Sequence, residues 1–124
     1  MSRHEIGVDL VDIERIIGVL GRYPERFRRR VLTPAEDRYC GPKVERVAGR
    51  WAAKEAISKV LGLGVRGVGW REIEVLPNWA GQPQVHLHGR AEARAQRLGL
   101  EELTVTISHE RTMAVAVAVA HLGT

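Results

Sequence analysis

Apolar residues recur along the chain with two periods, and the changes of period mark out its elements. Ile6, Val8 and Leu10 alternate with Gly7 and Asp9, which predicts a short strand from Glu5 ending near Leu10. Its apolar side is expected to face the core, leaving Asp9 at the strand's end on the opposite face, beside Gly7. Ile13, Ile16, Ile17 and Leu20 share one side of a helix that Asp12 caps and Gly21 ends. Tyr23 to Leu32 reads as a short helix with Pro24 in its first turn, Tyr23, Phe27, Val31 and Leu32 inward, and Arg26, Arg28, Arg29 and Arg30 outward. Thr33-Pro34-Ala35-Glu36 is a capping box, and Cys40 and Gly41 close the short helix it begins.

Pro42 and Gly62 bracket the longest predicted helix, from Pro42 to Leu61. At about 100° per residue, Val44, Val47, Ala48, Trp51 and Ala52 form one apolar sector. Glu55 falls inside that sector, with Lys59 one turn beyond it. Four glycines follow between Gly62 and Gly69. Trp70 to Leu76 is a predicted strand, Pro77 to Pro83 a turn, and Gln84 to His88 the second arm of a hairpin. Arg90 to Leu98 is an Ala-rich helix ended by Gly99. Leu103 to His109 alternates, Glu110-Arg111-Thr112 turns, and Met113 to His121 presents valines on one face and Ala114, Ala116, Ala118 and Ala120 on the other. That small face suits close packing of the long helix. The pattern predicts an α+β fold, a mainly antiparallel sheet covered by helices, with no internal repeat.

Composition narrows the class. A chain of 124 residues with 44% hydrophobic content is expected to form one folded domain. Neither a membrane-spanning run nor a signal peptide is recognisable, which points to a cytoplasmic protein. The lone Cys40 excludes an internal disulfide and a multi-cysteine zinc site, and packing is expected of it rather than reactivity. The net charge of +4 is concentrated early, in Arg22, Arg26, Arg28, Arg29, Arg30, Arg38, Lys43, Arg46, Arg50 and Lys54. Such a surface favours an anionic partner: nucleic acid, a phosphorylated ligand or an acidic protein. The six aromatic residues show no single-strand stacking pattern.

Taken singly, the polar candidates have plain explanations. A carboxylate in an apolar sector must be paired, bound to a cation or neutralised, and Glu55 has Lys59 at i+4 for an ion pair. Asp9 alone reads as a solvated strand-end acid, and the capping box accounts for Thr33 and Glu36. The arginine run is either a solvated face or a docking surface for acidic residues. The glycines let backbone N–H groups approach a phosphate, or simply connect helix to strand; no Walker loop or dinucleotide fingerprint is present. His86 and His88 share a strand face without a third ligand, and His109 sits where a strand enters a turn.

Several stretches occur together in a fixed order: Ile6-Gly7-Val8-Asp9; Phe27 with Val31-Leu32-Thr33-Pro34-Ala35-Glu36; Gly49-Arg50-Trp51-Ala52-Ala53-Lys54-Glu55-Ala56-Ile57-Ser58-Lys59; Gly81-Gln82-Pro83; and Val105-Thr106-Ile107-Ser108-His109. Together they resemble the holo-acyl-carrier-protein synthase group of the 4'-phosphopantetheinyl transferase family, over nearly the whole chain. The resemblance implies transfer of phosphopantetheine from coenzyme A to a serine of apo-acyl carrier protein, releasing adenosine 3',5'-bisphosphate and serving fatty acid biosynthesis. It implies Mg²⁺ held by Asp9 and Glu55, with Lys59 contacting coenzyme A phosphates or assisting proton transfer. Arg50, Gly62, Gly64 and His109 are expected in the coenzyme A site, and Arg15, Arg22, Arg26 and Arg30 on the face that meets the acidic carrier. A homotrimer with sites between protomers is implied too, and no nucleic-acid or membrane partner.

The chemistry suits these residue types. Mg²⁺ prefers carboxylate and phosphate oxygens and keeps several waters. Bound there, it would neutralise the leaving bisphosphate and hold the β-phosphate for in-line attack. A water could relay the serine proton, with Glu36 or Glu55 orienting it, or Lys59 could stabilise the transition-state phosphate. Two positions depart from the family pattern: Thr104 stands where many relatives have histidine, and Trp51 where Phe is usual. The competing readings are a basic nucleic-acid-binding module, which leaves Asp9 and Glu55 unexplained, and a coenzyme A thioester hydrolase, which lacks a convincing nucleophile.

Overall fold

The strands nearest the two ends of the chain lie side by side. The structure, a computed structural model, describes residues 3–62 and 68–123. β1 (Arg3–Asp12) pairs antiparallel with β5 (Met113–Leu122), whose other edge pairs antiparallel with β4 (Leu100–His109), giving the order β1-β5-β4. A bulge between Leu100 and Glu102 starts β4 three residues ahead of the alternation expected from Leu103. The hairpin of β2 (Ile73–Pro77) and β3 (Pro83–Leu87) forms a separate two-stranded sheet. Between the strands run α1 (Ile13–Arg22), α2 (Pro24–Val31), α3 (Pro34–Cys40), α4 (Val44–Val60) and α5 (Gly89–Leu98). This is the expected mixture of antiparallel sheet and helices. Among the described residues, no helix is long and apolar enough to cross a membrane.

The sheet's small-residue face decides where α4 lies. Ala114, Ala116, Ala118 and Ala120 on β5 and Ala48, Ala52, Ala53 and Ala56 on α4 are all at 0% exposure. Neither surface has bulk to hold the layers apart. Gly7 sits under the helix so closely that a Cβ there would run into the carbonyl oxygen of Ala56. Gly49 does the same on the other side, where a Cβ would lie 3.0 Å from Ile107. The larger core residues, Val47, Ile57, Leu61, Ile73, Val75 and Leu122, fill the flanks.

This packing reverses the expected orientation of β1. Alternation defines two faces but not which is covered. Gly7, Asp9 and Val11 turn toward α4, while Ile6, Val8 and Leu10 point outward at 70%, 51% and 65% exposure. A helix that needs close approach selects the face with the glycine, not the face with the larger apolar residues. Asp9 is therefore on the covered side.

Several element ends depart from expectation. α4 begins at Val44 because Lys43 is its cap, leaving Pro42 outside. Trp70–Glu72 is a 3-10 turn rather than strand, since the Glu72 carboxylate folds back to accept from Gly69 N at 2.7 Å. Asp12 caps α1 by accepting from Glu14 N, and the capping box at Thr33 is present with both hydrogen bonds. The helix expected to stop at Gly21 runs one residue past it.

Candidate active site

Helix α4 is buried on nearly every side, so the residues that escape burial stand out. Trp51 and Glu55 are half-buried and Lys59 is exposed, and their i, i+4, i+8 spacing makes them one stripe. That stripe faces the end of β1. Asp9, Glu55, Trp51, Phe27 and Arg15 line one cleft of about 320 Å³, walled by α1 and α2. Phe27 meets Trp51 edge-on at 5.9 Å, and Trp51 meets Trp70 at 4.7 Å, which fixes the wall against which Glu55 lies.

The charges in this cleft do not cancel. Lys59 Nζ donates to the Val8 carbonyl at 2.9 Å and to Asp9 Oδ1 at 3.4 Å. Its ion-pair partner is thus Asp9, across the helix–strand junction, and not Glu55 one turn back. Glu55 is held above the ordinary carboxylate pKa by burial and by the negative charge of Asp9, with Lys59 pulling the other way. Asp9, Asp12 and Glu55 against Arg15 and the adjacent Lys59 leave a formal negative charge in a partly desolvated cleft. The Asp9 and Glu55 carboxylates are hard oxygen donors, the chemistry Mg²⁺ takes, and a site with only two protein ligands leaves positions for water and phosphate. Among the described residues, no cluster of three or more His, Cys, Asp or Glu could hold a metal ion.

A second groove, of about 360 Å³, opens beside the start of α4 and shares no lining residue with the cleft. Lys43, Arg46, Arg50 and His109 line it, together with Gly81 and Pro83 of the β2–β3 turn. The guanidinium groups of Arg46 and Arg50 both lie over the Tyr39 ring, 4.4 Å and 4.5 Å from its centroid. Arg46 also donates to the Tyr39 carbonyl and Arg50 to the Val75 carbonyl, so both cations are fixed in place. The fold thus brings Arg50 and His109 to one place, along with the Gly81-Gln82-Pro83 stretch.

Arg15, Arg22, Arg26 and Arg30 are exposed on α1 and α2, with Arg26 over the Tyr23 ring at 5.3 Å. Arg29 is paired with Glu25, and Arg28 with Asp37 and the Gly41 carbonyl. Gly62, at φ +69°, ends α4, where Arg94 holds the Leu61 carbonyl. Gly64 lies outside the described residues.

Two expectations are corrected by burial. Lys54 and Arg50 are not part of a basic surface; they are 0% and 5% exposed. Glu36 cannot orient water in the cleft, because it too is at 0% exposure. Its Oε1 accepts from Lys54 Nζ at 2.7 Å and Thr33 N at 2.9 Å, and its Oε2 from Val75 N at 2.7 Å. Lys54 Nζ donates further to the carbonyls of Trp70 at 3.0 Å and Ile73 at 2.7 Å. Burial lowers the lysine's pKa while Glu36 raises it. This pair ties α3, α4 and β2 together, and the sequence reading missed it. The available signal was position: Lys54 falls in the helical stripe of Val47, Arg50, Ile57 and Leu61. Cys40 packs as expected, and burial pushes its thiol up to about 11.

A model of the 4'-phosphopantetheinyl transferase superfamily matches residues 5–118. The chain belongs to this superfamily. It is 49% identical over 117 residues to a holo-[acyl-carrier-protein] synthase from Gloeobacter violaceus, covering 91% of this chain and 89% of that protein. A synthase of the same description from Herpetosiphon aurantiacus is 44% identical over 120 residues, covering 91% and 94%. The crystal structure of the Helicobacter pylori synthase in complex with coenzyme A superposes with a TM-score of 0.85 at 31% identity, covering 94% of this chain and 99% of that one.

Proposed function

We propose that this superfamily member transfers 4'-phosphopantetheine from coenzyme A to a serine of apo-acyl carrier protein, with Mg²⁺, in the cytoplasm and in the service of fatty acid biosynthesis. The observation that carries this reading is the meeting of Asp9 and Glu55, from a strand and a helix far apart in sequence, in one cleft beside Lys59. Their carboxylates would hold the metal, whose charge neutralises the pyrophosphate and favours in-line displacement. Lys59, half-exposed and held on the Val8 carbonyl and Asp9, offers its remaining ammonium N–H to the phosphate oxygens. The serine oxygen forms the new bond to the β-phosphorus as the bond to the bridging oxygen breaks, and adenosine 3',5'-bisphosphate leaves. Glu36 is sealed in the core, so of the two carboxylates expected to orient a proton-relaying water Glu55 is the one in the cleft.

The fixed cations of the second groove suit the nucleotide phosphates of coenzyme A, and the arginines of α1 and α2 suit an acidic carrier. A homotrimer fits the outer face of the sheet, where Ile6, Val8, Leu10 and Val119 are exposed together and need a cover. The test of the reaction is mass spectrometry of apo-carrier incubated with this protein, coenzyme A and Mg²⁺. A gain of one phosphopantetheine is expected; no gain while a known synthase succeeds in parallel would sink the reading.

A further inference from the structure

A further recess, of about 360 Å³, opens where α2 and α3 meet the 3-10 turn at Trp70–Glu72. Arg28, Arg29 and Arg71 line it, together with Glu25 and Asp37. Both acids already have partners: Asp37 pairs with Arg28 at 2.9 Å, and Glu25 with Arg29 at 2.9 Å. Glu72, next to Arg71 in sequence, is held by Arg90. Arg71 is exposed, and among the described residues no carboxylate pairs with it. Three guanidinium groups against two carboxylates leave one positive charge in the recess, and it resides on Arg71.

Two observations join this recess to the surface around the cleft. At about 100° per residue, Arg26 and Arg30 fall on one side of α2 and Arg28 on the other, with Glu25 and Arg29 along the crest between them. Glu25 and Arg29 line both the recess and the hollow of Tyr23, Pro24 and Arg26, so the basic surface runs unbroken from Arg26 to Arg71. Under α2, the Trp70 ring beside Arg71 packs on Trp51 at 4.7 Å, and Trp51 is a wall of the cleft. Arg71 therefore flanks the place where a carrier serine has to arrive. The chemistry of the recess selects its ligand. One uncommitted guanidinium offers paired N–H donors that match a single carboxylate. A free phosphate would find only one unneutralised cation for its two charges, and nucleic acid would meet Glu25 and Asp37 as repelling acids. A carboxylate on a protein surface fits.

We propose that Arg71 is a carrier-binding residue: the docking surface for the acidic carrier continues from α1 across the crest of α2 into this recess, where a carrier carboxylate pairs with Arg71. This rests on the reaction proposed above. Arg71 lines neither the cleft nor the groove at the start of α4. Its charge therefore acts on capture of the carrier, through association rate and salt dependence, and not on the chemical step.

The experiment compares wild type, Arg71→Lys, Arg71→Ala and Arg71→Glu against one preparation of a bacterial apo-acyl carrier protein, at low and at physiological salt. Binding is read by biolayer interferometry without coenzyme A, and turnover by mass spectrometry of the carrier. R71A is expected to weaken binding and raise KM for the carrier about two- to fivefold at low salt, the size of one solvent-exposed ion pair. R71E turns the attraction into repulsion and about squares that factor, whereas R71K keeps most of the affinity because it keeps the charge. The differences narrow as salt is added, and KM for coenzyme A stays at the wild-type value. An R71E variant with wild-type carrier binding and KM would overturn the proposal. So would equal losses in R71K and R71E, which mark a structural role, or a change confined to KM for coenzyme A, which assigns the charge to the nucleotide. Wild type that neither binds nor modifies the carrier overturns the proposed reaction and this inference with it. Wild type that modifies the carrier, beside an R71E variant that does so with the same KM, counts against Arg71 alone.

Discussion

Replacing Lys54 by methionine removes one partner of the buried pair while nearly keeping its volume. Lys54 Nζ makes three hydrogen bonds, to Glu36 at 2.7 Å and to the carbonyls of Trp70 and Ile73 at 3.0 and 2.7 Å. The Ile73 carbonyl loses its partner at a cost of about 1 kcal/mol or more, whereas the Trp70 carbonyl keeps the Ile73 N–H. Glu36 keeps only the N–H groups of Thr33 and Val75 and becomes a buried charge without a counter-ion. Breaking such a pair costs about 3–5 kcal/mol in total, a large part of the 5–15 kcal/mol typical of a domain. Urea unfolding at pH 7 measures the loss, and Glu36→Ala on the K54M background should cost clearly less than on wild type. A loss under about 1 kcal/mol at pH 7, with additive effects of the two substitutions, would refute the reasoning.

Other expectations are as direct. Gly7→Ala forces a methyl against the Ala56 carbonyl, separates sheet from helix, and should cost at least about 1–3 kcal/mol in thermal or urea unfolding. Because its folded pKa is raised, Glu55 as a neutral acid favours folding at low pH, an advantage lost as pH rises through the folded value, and Asp9→Asn removes one cause of the shift. NMR titration in metal-free buffer should show the Glu55 midpoint move down toward the ordinary range in that variant. Val8→Lys on the outer sheet face should lower the native mass by light scattering and leave circular dichroism unchanged, since that side chain is 51% exposed within the chain.

The sequence reading located most elements because periodicity, caps and turn residues act locally. Thr33 and Glu36 announced their capping box, Asp12 its helix, and the alanines of β5 the packing of the long helix. What it could not read was which of two faces is covered. For β1 the larger apolar side chains argued for Ile6, Val8 and Leu10 inward, yet close packing needed Gly7 there, and Asp9 came with it. The same gap hid Lys54. A lysine between Ala53 and Glu55 looks like surface until the carbonyls of Trp70 and Ile73, distant in sequence, supply its partners. Glu55 and Lys59 looked like a local pair, and only the fold shows Lys59 reaching across to Asp9. Arg50 and His109 carried no mutual signal in spacing or periodicity; the family resemblance grouped them, and the fold brings them to one groove.

The account turns on Asp9 and Glu55 acting together toward one metal ion. The decisive measurement follows Mg²⁺ binding by calorimetry in the presence of coenzyme A, alongside carrier modification by mass spectrometry, for wild type, Asp9→Asn and Glu55→Gln. Wild type should bind Mg²⁺ and lose transfer on chelation, and each variant should remain folded while losing both binding and transfer. Full transfer by either variant, or undiminished transfer by wild type in chelator, would contradict the account.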